Sequence, residues 1–192
     1  MKKRTATVAS IFLIVLMLMI ETSVVLGALS LKSVQTWYWT DRTYIWSVAR
    51  GDVDGDGKVE IVTGGQYDNG PSLVAQLCVW NGATLAFENV RTWCWGESAT
   101  YISSIAVDDV DGDKEIEIIT GGYYWDGTKN IAQLCVWNGK TLTLENVKTW
   151  YWTDNTVINA VAVADVDGDG ELEIITGGYC NDIARYQAQL CE

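Results

Sequence analysis

The sequence predicts an all-β fold, a partial β-propeller of about three repeated blades with four antiparallel strands each. Three observations carry this expectation. An acidic nine-residue loop occurs three times, beginning at Asp52, Asp109 and Asp165, with spacings of 57 and 56 residues, a period that suits one propeller blade. Short runs rich in Val, Ile and aromatic residues surround each loop and show no helical periodicity. The whole chain of 192 residues holds a single Pro.

The loop is the most informative element. Its first copy reads Asp52-Val53-Asp54-Gly55-Asp56-Gly57-Lys58-Val59-Glu60. The second reads Asp109-Val110-Asp111-Gly112-Asp113-Lys114-Glu115-Ile116-Glu117, and the third Asp165-Val166-Asp167-Gly168-Asp169-Gly170-Glu171-Leu172-Glu173. Carboxylates at positions 1, 3, 5 and 9 would repel one another in a compact turn. A hard cation removes that penalty, and a flexible cage of oxygens suits Ca2+ better than Mg2+. The candidate ligands are the four carboxylates of each copy, with the carbonyls of Lys58, Glu115 and Glu171 at position 7 as a further oxygen. An acidic, solvated turn is the plain alternative, since Asp and Gly are ordinary turn formers. An EF-hand is excluded: position 12 is Thr63, Thr120 and Thr176 in the three copies, where that motif needs a bidentate Glu.

The remaining strands follow in order. Residues 101–107, or 158–163 one repeat later, form an apolar first strand that ends at the metal loop. Residues 117–120 form the second, ended by Gly121-Gly122. Residues 133–137 form the third, and Asn138-Gly139 reads as a two-residue hairpin turn. Residues 141–144 alternate polar and apolar as a half-buried fourth strand should. Residues 148–152 continue that edge or lead into the next blade.

The strand–loop–strand carboxylate pattern D-x-D-G-D-G-x-x-E resembles the FG-GAP/VCBS family, the integrin-α-like repeats of calcium-binding β-propellers. The resemblance extends from Leu31 to the C-terminus, and Thr-Gly-Gly stands where that family has Gly-Ala-Pro. It implies an extracellular, non-catalytic module for adhesion or ligand binding, holding up to three Ca2+, one per repeat. It also implies a protein or glycan ligand. A lectin-like propeller, or the propeller portion of a polysaccharide-active enzyme, is the alternative.

Met1-Lys2-Lys3-Arg4, the ten-residue apolar run from Ile11 to Ile20 and the small residues around Gly27 read as a secretory signal over residues 1–27. A membrane anchor, if that segment is uncleaved, is the other reading. Residues 28–192 form the repeat domain, with repeats near 32–88, 89–145 and 146–192. The expected location is secreted or cell-surface. Three of the 13 basic and one of the 25 acidic residues precede Ala28, which leaves a net charge of −14. Such acidity argues against nucleic acid as a partner.

Propellers usually close with four to eight blades. Three repeats therefore read as part of a longer propeller, with closure by self-association as the alternative. The tryptophan pairs Trp37/Trp39, Trp93/Trp95 and Trp150/Trp152 recur with the repeat and are expected to pack between blades. Trp125, placed in a loop, is the better candidate for ligand contact. Cys78, Cys135 and Cys191 occupy one repeat position, too far apart to bridge, and read as buried thiols; a Cys94–Cys180 bridge is left open. With no His and no nucleophile motif, the sequence reads as a non-enzyme.

Overall fold

The computed structural model describes residues 32–40, 42–96, 99–152, 154–181 and 185–192. The chain divides into Met1–Val34 and Gln35–Glu192, and the architecture concerns the second unit. Residues 1–27, expected from the sequence to be a secretory signal, lie outside the described residues. Among the described residues there is no helix, and none is therefore long and apolar enough to cross a membrane.

Among the described residues eleven strands run in order: β1 Thr43–Gly51, β2 Glu60–Asp68, β3 Leu73–Asn81, β4 Phe87–Trp93, β5 Ala99–Asp108, β6 Glu117–Trp125, β7 Asn130–Asn138, β8 Leu144–Trp150, β9 Asn155–Ala164, β10 Glu173–Asn181 and β11 Tyr186–Cys191. They form three antiparallel meanders: β1 to β4, β5 to β8, and β9 to β11. A single parallel bridge, Leu73 to Ala99, links the first meander to the second. This is a partial propeller-like β fold, as the sequence predicts.

The blades meet along their inner strands. Val62 and Leu77 of the first blade and Ile102, Ile105, Ile118 and Cys135 of the second share one buried cluster. Ser47 Oγ accepts the Ile105 N–H at 3.0 Å, and one repeat later Ser104 Oγ accepts the Val161 N–H at 3.0 Å. Each inner strand bulges at an equivalent residue, Trp46, Ser103 and Asn159, beside that contact.

Several local expectations are corrected. The second strand does not stop at Gly121-Gly122, because β6 runs through both glycines. They sit inside the strand because a Cβ at Gly121 would meet Ile158 Cγ2 at 2.8 Å and one at Gly122 would collide with the Tyr101 carbonyl. Here Gly marks close approach of a neighbouring strand rather than a chain end. Asn138-Gly139 does not form a two-residue hairpin. Five residues separate β7 from β8, with the Leu142 N–H on the Asn138 carbonyl and Leu142 at φ 54°. Leu142 is buried, so core packing offsets the left-handed backbone. The fourth strand accordingly starts at Leu144, not 141, and includes Lys148 to Trp150. Trp125 ends strand β6 and is not in a loop.

The tryptophans divide by position. Trp93 donates its Nε1 to Gln133 Oε1 at 3.0 Å in the next blade and lies 4.5 Å from the Trp137 ring. Trp37 repeats this on Gln76 (3.4 Å) and Trp80 (4.3 Å), and Trp150 on Gln189 (3.3 Å). The first member of each pair thus packs between repeats, whereas Trp152 is exposed. All five cysteines are free thiols, including Cys94 and Cys180. Burial pushes the Cys78 and Cys135 thiols up to about 12, which keeps them protonated and inert.

Candidate metal centres

Each acidic loop joins the first two strands of its blade, so the strand ends fix where its carboxylates point. The three copies share one hydrogen-bond pattern. At position 1, Asp52 Oδ2 accepts the Gly57 N–H (2.9 Å), Asp109 Oδ2 the Lys114 N–H (3.0 Å) and Asp165 Oδ2 the Gly170 N–H (3.1 Å). At position 3, Asp54, Asp111 and Asp167 each accept the N–H two residues on, at 3.0, 3.2 and 3.1 Å. Position 5 repeats that short turn: Asp56, Asp113 and Asp169 accept the N–H of position 7 at 2.8, 2.7 and 2.8 Å. Local side-chain acceptors thereby replace the ladder bonds that a loop lacks.

Position 9 closes the loop from below. Glu60, Glu117 and Glu173 each accept the N–H of the Val at position 2, at 3.0, 2.9 and 2.8 Å. That bond was not legible in the sequence, because a backbone N–H leaves no mark on residue identity. Glu60 and Glu117 are each 2% exposed. Burial pushes the Glu117 carboxyl up to about 7, reinforced by the charges of Asp111, Glu145 and Asp113, and the Val110 N–H opposes this. Burial likewise raises Glu60.

The fold brings positions 1, 3 and 9 together. Asp52, Asp54 and Glu60 offer oxygens within 4.8 Å of one another, as do Asp109, Asp111 and Glu117, and Asp165, Asp167 and Glu173. The position 5 carboxylates stand outside these groups. Asp56 faces Lys58, whose Nζ lies 2.6 Å from its Oδ2 and holds its carboxyl below the usual range. At position 7, Lys58 is thus engaged by Asp56, and Glu115 Oε2 accepts from Asn138 Nδ2 at 2.9 Å. In these two copies the backbone carbonyl of that position remains as the ligand candidate.

A hard cation fits this donor set. All side-chain donors are carboxylate oxygens, and Asp52 Oδ1 is buried with no hydrogen-bond partner. An unpartnered buried carboxylate oxygen is costly unless a charge meets it. In the other two loops the corresponding Oδ1 accepts the N–H of Gly112 (2.8 Å) and Gly168 (2.6 Å).

Residues 109–176 match the family model of the FG-GAP-like repeat. The chain carries an FG-GAP-like repeat. The match begins at position 1 of the second loop and ends at Thr176 in β10, so it encloses the second and third loops and the blade between them. The first loop lies outside the matched residues yet repeats the same hydrogen bonds. No curated protein matches the chain. The FG-GAP-like repeat thus presents acidic groups able to hold a metal ion on a β-propeller-type module.

Proposed function

We propose that this protein is a non-catalytic, extracellular calcium-binding β-propeller module, secreted or held at the cell surface, that binds a protein ligand. The observation that supports it best is the unpartnered, buried Asp52 Oδ1 inside a group of three carboxylates that recurs in every blade. Ca2+ would be held by Asp52, Asp54 and Glu60, by Asp109, Asp111 and Glu117, and by Asp165, Asp167 and Glu173. When bound, it neutralises carboxylates that otherwise repel. The chain's own contribution is the turn: Gly57, Lys114 and Gly170 at φ 84°, 75° and 93° present their N–H groups to the position 1 carboxylate.

The absence of His and the confinement of paired carboxylates to these loops support a role without catalysis. Calorimetry on the full chain with and without chelator tests the metal. The midpoint falls on removal of calcium, and an unchanged midpoint overturns the reading.

A cavity of about 370 Å³ favours glycan as a second ligand class. Trp46, Tyr101, Tyr123 and Tyr179 line it beside Gln66 and Asn159, at the bulged ends of the inner strands. Aromatic faces next to amide side chains suit sugar rings. A glycan array on the calcium-loaded protein separates the two, since saturable and selective binding favours sugar.

A further inference from the structure

The two junctions between successive blades repeat one set of contacts. At the first junction, Ile102 and Ile105 of β5 fill a notch at Gly64 of β2, where an added Cβ would lie 2.7 Å from Ile102 Cγ2. At the second, Ile158 and Val161 of β9 fill the notch at Gly121 of β6. The outer faces carry the unmatched halves. One repeat before Ile102 and Ile105 stand Ile45 and Val48 of β1, which are 47% and 65% exposed. One repeat after Gly121 stands Gly177 of β10, where only Ala160 Cβ, at 3.9 Å, comes near an added Cβ.

The loops and outer edges agree. Val53 of the first loop is buried in one cluster with Leu142 of the second blade. Its counterpart Val166 is 54% exposed, and Leu85, the counterpart of Leu142, is only half-buried. Leu190 of β11 is 78% exposed, whereas its equivalent Leu77 is fully buried. Among the described residues β11 has no outer neighbour. The sequence nevertheless holds a further copy of the outer strand. Leu31-Lys32-Ser33-Val34-Gln35-Thr36-Trp37 matches Leu144-Glu145-Asn146-Val147-Lys148-Thr149-Trp150 of β8 at Leu, Val, Thr and Trp. Trp37 already packs on the first blade as Trp93 packs on the second.

We propose that the open face of the third blade receives the first blade of a second copy. Ile45 and Val48 of one chain fill the Gly177 notch of the other, and residues 32–37 lie along its β11 as the missing outer strand, covering Leu190. The occupant follows from the repeat: the first blade carries the same knobs that fill the equivalent notches within one chain. A head-to-tail contact that closes after two copies leaves no open surface.

The test needs no metal readout, so it stands or falls apart from calcium binding. Native mass spectrometry of the full chain should give twice the mass of one chain. A monomer, a trimer or a larger species overturns the proposal. The Cβ atoms can also be trapped. An added Cβ at Gly121 lies 3.7 Å from Ile158 Cβ, the usual spacing of a disulfide. Ile45→Cys and Gly177→Cys chains, each also Cys94→Ser, are mixed and oxidised. Peptide mapping should find a linkage between residues 45 and 177, and none found overturns the arrangement. Val48→Asp, on a side chain already exposed in the single chain, should halve the native mass and leave the β circular dichroism unchanged. A dimer that survives it overturns the assignment of this face.

Discussion

The first and third acidic loops differ only at positions 7 and 8 of their nine residues, yet their surroundings differ greatly. In the first loop Val53 and Glu60 are each 2% exposed and Asp52 Oδ1 has no partner. In the third, Glu173 is half-buried, Val166 is exposed and Asp165 Oδ1 accepts the Gly168 N–H. The burial of a loop is therefore supplied by the next blade and not by its own residues. Desolvated carboxylates gain more from a cation than solvated ones, because water screens the third group already.

The largest expected effect is removal of all calcium. Modules of this kind bind at roughly 0.1–1 mM. At ~2 mM free calcium, linkage gives about 0.6–1.8 kcal/mol per site. Three sites together supply ~2–5 kcal/mol, and at about 2–4 °C per kcal/mol the melting temperature should fall by roughly 5–20 °C. Scanning calorimetry with chelator measures it.

Truncation of the position 9 carboxylate sharpens the contrast. Glu60→Ala leaves the buried Val53 N–H without an acceptor and should cost about 1–3 kcal/mol in urea unfolding even without calcium. Glu173→Ala exposes the Val166 N–H to water and should cost under about 1 kcal/mol. Equal losses would break the comparison.

The middle loop adds a pH dependence. Glu117 has its pKa raised from 4.5 to about 7 in the folded chain, so the native state holds the extra proton between those values. For the calcium-free protein, stability is fully present below about 4.5 and falls as pH rises through about 7. On the proposed calcium reading, an ion bound there would have to displace that proton, so middle-site affinity should drop about tenfold between pH 8 and pH 6. Isothermal titration of a chain carrying only that site checks both the direction and the size.

The smallest effect concerns Lys114. At φ 75° it occupies the backbone region that Gly57 and Gly170 hold in the other loops, at a cost of about 1 kcal/mol for a side chain there. Lys114→Gly should tighten the middle site by roughly three- to tenfold. A weaker site after this change would mean that the Lys side chain itself supports binding.

Much of the architecture was legible because the repeat showed each element more than once. Three acidic loops at fixed spacing located the carboxylate groups, and the Trp recurrence located the junctions between blades. Errors fell where one residue type serves two purposes. Gly121-Gly122 has the composition of a strand end, but it is a strand interior closely approached by Ile158 and Val161 at Gly121 and by the Tyr101 carbonyl at Gly122. Asn138-Gly139 has the composition of a tight hairpin, but buried Leu142 draws the chain into a longer turn. The hydroxyls of Ser47 and Ser104 recur 57 residues apart, and that spacing was the available sign of their bond across blades.

The sequence by itself determined the all-β class, the blade period and the identity of the loop carboxylates, because these depend on local spacing. Only the tertiary structure decided which carboxylates converge. Positions 1, 3 and 9 meet while position 5 turns back on its own backbone, since position 9 enters from a strand whose direction the pairing of the blade sets. It also decided that identical loops carry unequal burial, because the desolvating atoms belong to the next blade, a whole repeat away in the chain.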